Sequence, residues 1–466
     1  MRRILLRSSK SPFDAVSPEM VMQQHIGGAN IGNLVFSDAV HKTLYTPNAE
    51  VTPTGFGANP DDAEWINDAY DVVVLPFANA FRPAFAASLE AWSALIERLR
   101  IPVVVLGIGA QSSLDYDMAP LRPVEKQVRR FVRAVLERSP SIGVRGEFTQ
   151  RYLNQLGFSE VDVIGCPSMF RFGASLGVDK SEGGLDATSR IAFSVTDNTA
   201  GDVAGILNSN AERYPRLHYV AQDIKDLELM YWGDTSQARG VHAAVPKHRT
   251  HLLFAQNRVR LFLEPASWIE GMGDYDFSCG TRIHGTITAL LGGTPGVVLC
   301  HDSRTRELSE YFELPHQHIT ALSSDVDLAE LYEQADFDPL RFGHKERFDR
   351  FTTFLAKHGL EHVYGPAGDS GAAFEERMRE IDFAGPVEVR SDENHGFRIA
   401  WLKENVAQLK ATQKKADRRI GELSAKVRAL EDALHRLEGG RQPRSLYRRV
   451  RSGLARRLRR LRPGGR

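Results

Sequence analysis

The residues best suited to chemistry lie in one segment, Asp276–Gly285, which ends in Thr281-Arg282-Ile283-His284-Gly285. An arginine holds a carboxylate or a phosphate through parallel N–H donors, and a histidine two residues later carries a proton near neutral pH. The pair stands at the junction of a predicted strand and a predicted helix, which indicates an anion clamp with a proton carrier. A partly buried structural histidine is the competing interpretation of His284.

Two earlier segments have a similar character. Ser141–Thr149 delivers Arg145 to the end of a short apolar run, with a salt bridge to Glu147 as the alternative interpretation. Gly27–Asn33 is rich in glycine, which lets a backbone approach a ligand closely, and a plain tight turn explains it equally well. The loop has neither a Walker sequence nor a dinucleotide fingerprint. Ligands bind at the carboxyl ends of strands in open α/β sheets, so a site is expected at such corners.

Other candidates carry less information. Asp302 and Arg304 follow an apolar run that ends at Cys300, where they are placed to line the same cleft, and surface ion pairs explain them equally well. His248 and His251 lack carboxylate or thiol neighbours, which favours a solvated basic loop over a metal site. The three cysteines are too few for a disulfide framework and too dispersed for zinc, so no metal site is expected.

The elements that position these residues alternate between short runs rich in Val and Ile and amphipathic stretches. Such runs suit strands that are buried on both faces of a parallel sheet. The predicted strands are Arg3–Leu6, Val72–Pro76, Val103–Ile108, Ser141–Val144, Val161–Ile164, Ile191–Val195, Leu217–Ala221, Val259–Leu263, Asp276–Ser278 and Gly296–Cys300. We therefore predict an α/β protein with two Rossmann-like domains, residues 1–172 and 190–325, and a cleft between them.

The pattern changes after the second domain. Aromatic residues at helical spacing predict a bracing helix over 340–360, and residues 364–398 are expected to be a polar linker. Over residues 399–438, apolar residues recur with the spacing of a heptad repeat, which predicts a parallel two-stranded coiled coil and thus a homodimer. A long amphipathic helix packed on its own body is the alternative.

The charge of the chain is unevenly distributed. Residues 441–466 contain 11 Arg and no acidic residue, whereas the rest of the chain has 48 basic and 59 acidic residues. Apolar residues recur near helical spacing among these arginines, which predicts an interfacial helix on an anionic membrane rather than a nucleic-acid contact. The sequence has no run of about 18 apolar residues and no secretory signal, so we expect a cytoplasmic protein, peripheral on the inner face of the cell membrane.

Taken together, three segments of the chain resemble the polysaccharide pyruvyl transferase family: Gly27–Asn33, Ser141–Thr149 and Asp276–Gly285. The likeness covers about residues 20–320. The most specific part is Asp276…Thr281-Arg282-Ile283-His284-Gly285 followed by Gly293-Thr294-Pro295, which looks like the family's Arg-Leu/Ile-His motif with its Gly-x-Pro sequel. The resemblance implies a glycosyltransferase-B-like pair of domains with the active site in the cleft. It also implies transfer of a pyruvyl group from phosphoenolpyruvate to a sugar, with this co-substrate and no further cofactor.

The resemblance also assigns expected roles, with Arg145 and Arg282 holding the phosphate and carboxylate of the donor and His284 acting as general acid. The other expected donor-binding residues are Gly28, Asn30 and Thr281, and the expected acceptor-binding residues are Asn33, Asp302 and Arg304. Two other functions stay open. One is a nucleotide-sugar glycosyltransferase of the same shape, and the other is a non-catalytic, membrane-associated scaffold.

Overall fold

The computed structural model describes residues 1–197, 201–233, 244–248, 250–389 and 395–438. Contacts divide the chain into two units, residues 1–391 and residues 392–466. All of the described strands belong to the first unit. The described part of the second unit is one long helix.

The first sheet is parallel and lies between two apolar cores. Its strands are β1 (Arg2–Leu6), β2 (Ala49–Pro53), β3 (Val72–Pro76), β4 (Val103–Leu106), β5 (Ile142–Val144) and β6 (Val161–Val163). The order is β2-β1-β3-β4, and the parallel pair β5-β6 continues it through a bridge between Ile108 and Val144. Val72 and Val74 enter one core while Val73 and Leu75 enter the other, which explains why β3 is an unbroken apolar run.

Helices connect these strands and cover the two faces of the first sheet. They are α1 (Pro18–Gln24), α2 (Gly32–Leu44), α3 (Ala63–Ala69), α4 (Ala86–Ile96), α5 (Glu125–Leu136) and α6 (Glu147–Gln155). Helices α2 and α6 begin beside the segments that the sequence singled out. Their first turns therefore bring Gly32 and Glu147 to the carboxyl edge of the sheet.

The second sheet is also parallel, with the strand order β12-β11-β10-β7-β8-β9. Its strands are β7 (Ile191–Ser194), β8 (Leu217–Val220), β9 (Val259–Arg260), β10 (Phe277–Gly280), β11 (Gly296–Cys300) and β12 (His316–His318). Its helices are α7 (Val203–Arg213), α8 (Ile224–Trp232), α9 (Leu252–Ala255), α10 (Pro265–Met272), α11 (Ile283–Leu291) and α12 (Ser303–Phe312). The predicted α/β class with parallel sheets is confirmed.

The predicted bracing helix is present, and it contacts residues that follow the first sheet as well as residues of the second sheet's helices and loops. After α13 (Leu328–Gln334), helix α14 runs over Asp338–Lys357. Phe351 of α14 stacks on Phe170 with ring centroids 5.1 Å apart, and Arg347 pairs with Glu313, just after α12. The helix thus joins the end of the first half to the second half.

The expected polar linker over residues 364–398 is wrong for much of its length. It contains helix α15 (Ala372–Arg379), whose Phe374 is fully buried. Glu375 of this helix accepts hydrogen bonds from Lys42 at 2.6 Å and from Arg171 at 2.8 Å. Phe374 and Glu375 thus dock this segment on the rest of the first unit, although its average composition is polar.

Helix α16 runs over His395–Glu438. We call the large apolar residues at the heptad positions of the predicted coiled coil the seam. Those whose side chains are described are exposed: Leu402, Val406, Leu409, Ile420, Leu423, Val427 and Leu430. The helix is as long as the predicted coiled coil, whose pairing stays a prediction. The predicted basic tail, residues 441–466, lies outside the described residues.

Candidate functional site

The candidate site lies where the carboxyl ends of the two sheets meet, and we call this region the cleft. On one side of it, the Ser112 N–H donates to Ser303 Oγ at 2.7 Å and the Ser303 N–H donates to Ser112 O at 3.1 Å. On the other side, Asn30 forms a backbone bridge with Asp223. We call the loops that follow β1 to β5 the first wall, and the loops that follow β7, β8, β10 and β11 the second wall.

Arg145 enters the cleft from the first wall, directly after β5. Its side chain is buried, and its Nε and Nη2 donate to Gly107 O at 3.3 and 3.2 Å. Burial lowers the pKa of this guanidinium, and within the described ranges no carboxylate lies at ion-pair distance from it. A Cβ on Gly109 would lie 2.3 Å from Arg145 Cδ, so glycine there leaves room for the side chain. Within the described residues, Arg145 is therefore a buried cation with no carboxylate in direct contact, although the charges of Glu307 and Asp302 act on it from beyond ion-pair distance.

His284 lies in the first turn of α11 and faces the first wall. Its Nδ1 is 2.9 Å from the position that a Cβ on Gly32 would take, and its Nε2 is 4.0 Å from Cys166 Sγ. Burial lowers the pKa of His284 to about 3, with further lowering by the charges of Arg145 and Arg304. The imidazole is therefore neutral at neutral pH in the unliganded protein.

Arg304, on the second wall, is a second guanidinium whose charge acts on the same imidazole. Its Nε donates to the Asp302 carboxylate, and its Nη2 lies 3.3 Å from His301 Nε2. Asp302 is also the N-cap of α12, where it accepts from the backbone N–H of Arg304 at 3.1 Å. Asp302 thus holds Arg304 in place, and the structure groups Arg304 with Arg145 and His284.

A third guanidinium, Arg82, follows β3 on the first wall. Its Nη1 donates to Gln111 Oε1 at 3.0 Å, while Gln111 Nε2 donates to Asp302 Oδ2 at 3.4 Å. Its Nε is buried without a hydrogen-bond partner. Burial and the nearby charge of Arg304 lower the pKa of Arg82. Arg82 is therefore part of the same cationic cluster, which contains more positive charge than its acid partners offset.

Arg282 lies on the second wall, two residues before His284, and is already paired. Its Nε donates to Val195 O at 3.0 Å, and its Nη2 donates to the Asp223 carboxylate. Asp223 also accepts from Asn30 Nδ2 at 2.9 Å, so Asn30 reaches Arg282 through this carboxylate. Lys247 Nζ lies 3.9 Å from Asp223 and extends the network into the second half. The expected donor ligands Arg282 and Asn30 therefore belong to one hydrogen-bonded unit.

Three other predicted site residues are placed as follows. Thr281 is buried, and its hydroxyl accepts from the backbone N–H of Thr196 at 2.6 Å. Asn33 Nδ2 donates to Gly27 O at 2.9 Å, which fixes the glycine loop from within. Gly28 has φ +67°, and its missing Cβ would have no atom closer than 3.7 Å. Of the three, only Gly28 leaves open space beside the backbone.

Glu307 is a buried carboxyl group that ties the two walls together. Its Oε1 accepts from the Thr149 N–H at 2.6 Å, and its Oε2 accepts from Thr149 Oγ1 at 3.0 Å. Burial raises the pKa of Glu307 to about 7, although these bonds and the charge of Arg145 oppose the shift. Because Thr149 is in the first turn of α6, Glu307 holds the Arg145 corner against α12.

Two residues of the site, Arg82 and Glu307, were not expected from the sequence. Arg82 follows a predicted strand by six residues, so searching every strand end for cations would have found it. Glu307 gave no such signal, because it lies inside α12 and its importance depends on Thr149 in the other half. A contact between distant segments is not visible in either segment alone.

The chain matches the polysaccharide pyruvyl transferase family over residues 30–303, which is more than half of its length. It belongs to the polysaccharide pyruvyl transferase family. The matched range contains Arg82, Arg145, Arg282 and His284, whereas Arg304 and Glu307 follow it immediately. No curated protein matches the chain.

Solved structures similar to this family member share little sequence with it. A UDP-GlcNAc 2-epimerase of Methanocaldococcus jannaschii, solved with UDP-GlcNAc and UDP, has 12% identity and a TM-score of 0.42, covering 76% of this chain and 99% of its own. HepE of Anabaena, solved with UDP and glucose, has 12% identity and a TM-score of 0.38, covering 82% of this chain and 100% of its own. These TM-scores are low, and the α/β fold of this chain is established by its own parallel sheets.

The described residues of this family member contain neither a metal-binding cluster nor a membrane-spanning helix. Among them, no group of three or more His, Cys, Asp or Glu side chains is arranged to hold a metal ion. No helix in the described ranges combines the length and the apolar character needed to span a bilayer.

Proposed function

We propose that this protein transfers the pyruvyl group of phosphoenolpyruvate to a sugar of a cell-surface polysaccharide or of its precursor, forming a ketal. The observation that carries the proposal is the cluster of Arg82, Arg145 and Arg304 in a member of this family, in which the charges of Arg145 and Arg304 both act on His284. A donor with both a phosphate and a carboxylate needs at least two cationic forks. The cluster and Arg282 meet that requirement.

The proposed roles follow from how each arginine is held. Arg145 and Arg304 bind the phosphate, because they lie on opposite walls and both act on His284. Arg282 binds the donor carboxylate with the part of its fork that Asp223 leaves free. As the ester bond to phosphate breaks, these fixed cations stabilise the charge that develops on the leaving group.

The chemistry needs one proton donor and one proton acceptor. Protonation of the methylene carbon of the donor gives a methyl group and makes the neighbouring carbon electrophilic, and a sugar hydroxyl then adds to it and loses its proton. Phosphate leaves when its C–O bond breaks, and a second hydroxyl of the sugar closes the ketal with loss of its own proton. We assign the first proton to His284 as general acid.

That assignment requires the donor to change the protonation of His284. In the unliganded protein the pKa of His284 is about 3, so its imidazole begins neutral. A bound phosphate and carboxylate offset the charges of Arg145 and Arg304, which raises the pKa again. Donor binding therefore favours protonation of His284, which then acts as the acid. After it has given up this proton, the neutral imidazole accepts a proton from the sugar hydroxyl.

The test is phosphate release from phosphoenolpyruvate by the purified full chain, with and without glycans from the producing cells, in excess chelator. We expect release only with an acceptor, together with a ketal methyl signal in the NMR spectrum of the product. Activity that disappears with chelator and returns with a divalent ion contradicts the metal-free scheme. Glycosyl transfer from a nucleotide sugar supports the glycosyltransferase alternative, and inactivity with every donor supports the scaffold alternative.

We also propose that α16 pairs with a second copy of the chain. Its exposed seam includes Leu409 at 68% and Leu430 at 64% exposure, which is unfavourable for a helix in water by itself. A chain that ends at residue 398 should be a monomer that still binds phosphoenolpyruvate, whereas the full chain is a dimer by light scattering. Equal masses would place the dimer contact elsewhere.

The basic tail is proposed to hold the enzyme on the inner face of the cell membrane. Each Arg near an anionic bilayer contributes up to about 1 kcal/mol, and a dimer presents two tails. Flotation with anionic and neutral liposomes should separate the full chain from a chain that ends at Gly440. Equal flotation of the two would overturn the membrane role and leave nucleic acid as the anionic partner to test.

A further inference from the structure

The buried arginines of this protein fall into two classes. Arg171 and Arg347 pair with carboxylates, and Arg258 donates to four oxygen atoms. Arg7 and Arg145 have neither arrangement within the described part of the chain. A buried guanidinium normally finds a counter-ion or a full set of acceptors. Arg7 therefore resembles Arg145: both are buried guanidinium groups that lack a carboxylate partner and a full set of acceptors in the described residues, as expected of an anion-binding site.

Arg7 lies directly after β1 and is 7% exposed. Its Nη1 donates to Pro76 O at 2.9 Å, and its Nε is buried without a partner. The guanidinium carbon is 4.3 Å from the ring centroid of Phe77 and 4.9 Å from that of Phe56. The two rings fix the plane of the guanidinium while offering no acceptor for its N–H groups.

This site is on the first wall, beside the glycine loop. A Cβ on Gly28 would lie 3.7 Å from the ring of Phe56, which is half-buried. Along the sheet edge, Arg7 after β1 and Arg145 after β5 are separated by β3 and β4. Three strand spacings amount to about 14 Å. Arg7 is therefore too far away to share the anion at Arg145 and lies on the same continuous edge.

We propose that Arg7, with Phe56 beside it, binds an anionic group of the acceptor glycan while the donor occupies the Arg145 end. The inference rests on the proposed function and adds the chemical class of acceptor: a sugar that carries a phosphate or a carboxylate. The unsatisfied N–H groups of Arg7 donate to the anion, and the half-buried face of Phe56 packs against the apolar face of the sugar.

The test compares binding of three probes to the full chain by calorimetry: glucose 1-phosphate, glucuronic acid and methyl glucoside. We expect at least one anionic probe to bind about tenfold or more tightly than methyl glucoside. Arg7→Gln should abolish that difference and keep the Kd for phosphoenolpyruvate within about twofold, while Arg7→Lys, which keeps the cation, should restore part of it. Arg100→Gln, a surface arginine of the same half, is the matched control.

The two anionic probes distinguish the sources of the anion, since preference for glucose 1-phosphate indicates a phosphate-linked acceptor and preference for glucuronic acid an acidic polysaccharide. Equal binding of all three probes to the wild-type chain overturns the inference. So does an equal loss of probe and phosphoenolpyruvate affinity in Arg7→Gln. If that variant does not fold, Phe56→Leu decides: weaker binding of the anionic sugar with an unchanged Kd for phosphoenolpyruvate is expected, because the ring packs on the sugar, and unchanged sugar binding contradicts the site. If the wild-type chain does not bind phosphoenolpyruvate but still binds an anionic sugar more tightly than methyl glucoside, the proposed donor is wrong and the site at Arg7 is supported.

Discussion

The two walls of the cleft hold their cations in opposite ways. On the second wall, Arg282 pairs with Asp223 and Arg304 pairs with Asp302, so each guanidinium is oriented by a carboxylate before any ligand arrives. On the first wall, Arg82 and Arg145 are held by an amide or carbonyl oxygen, and within the described residues neither has an acid partner.

This difference indicates that the arginines of the two walls contribute differently to binding an anion. A paired arginine is fixed in place but has part of its charge neutralised, whereas an unpaired buried arginine keeps its full charge and is destabilised by desolvation. An anionic ligand relieves that cost on the first wall and gains orientation from the second. Burial is the largest cause of the low pKa of His284, and the charges of Arg145 and Arg304 lower it further.

The largest expected effect is on turnover. Arg145→Ala should lower kcat by orders of magnitude, because an unpaired cation at the leaving phosphate contributes about 3–4 kcal/mol to the transition state. Arg282→Ala should also lower turnover strongly. Phosphate release with a saturating acceptor measures both effects, and Arg100→Ala serves as the surface control. A near-normal rate in Arg145→Ala would break the comparison between the walls.

The contact that joins the walls should show itself in stability against pH. The pKa of Glu307 is raised to about 7, so its contribution to stability is present at low pH and is lost as the pH rises through about 7. Glu307→Gln lacks this loss, and from about pH 5 to pH 8 it should gain up to about 3 kcal/mol relative to the wild type. Urea unfolding at both pH values measures the change, with the exposed Glu90→Gln as control. A constant difference would show that Glu307 titrates normally.

The two arginines should differ in their effect on folding. Arg282→Ala leaves the largely buried Asp223 carboxylate without its strongest partner and should lower the free energy of unfolding by about 2 kcal/mol. Arg145→Met removes a cation that has no carboxylate in direct contact within the described residues and should be neutral or stabilising. Thermal unfolding of the unliganded variants measures both. Equal destabilisation would mean that Arg145 has an acid partner after all.

The smallest expected effect concerns the fit between the walls at His284. A methyl group on Gly32 would lie 2.7 Å from Asn30 Oδ1 and 2.9 Å from His284 Nδ1, so Gly32→Ala should displace the imidazole together with the Asn30 side chain. We expect kcat to fall about tenfold or more while the far-UV circular dichroism is unchanged. Gly57→Ala, where a Cβ meets no atom within 4 Å, is the control. Wild-type kcat in Gly32→Ala would show that the ring position is not critical.

Much of this arrangement could be predicted from the sequence. Unbroken Val runs such as β3 and β4 indicated a buried parallel sheet, and the Arg282–His284 segment indicated the site, because strand ends and cationic side chains are local features. Strands β2 and β12 were missed. They are edge strands without a buried apolar run, as the half-exposed His316–His318 shows, so their existence depends on a neighbouring strand.

The pairings inside the site could not be predicted. The sequence did not reveal that Asp302 caps α12 and pairs with Arg304, whose charge acts on His284. The acceptor-binding role expected of Asp302 and Arg304 stays a prediction. The sequence also indicated that His284 is a histidine that titrates near neutral pH. Burial and the neighbouring arginines, which come from distant segments, set its pKa instead. Charge can be read from residue type, but its neutralisation depends on tertiary contacts.

The most direct test of the account is calorimetric titration of the full chain with phosphoenolpyruvate at about pH 6, in buffers with different ionisation enthalpies. If the unpaired cations await the donor, the wild type binds it with proton uptake, because the bound anion raises the pKa of His284 from about 3. His284→Asn should bind without uptake, and Arg145→Gln should lose most of its affinity. Absence of binding to the wild type, or equal affinity in Arg145→Gln, would contradict the account.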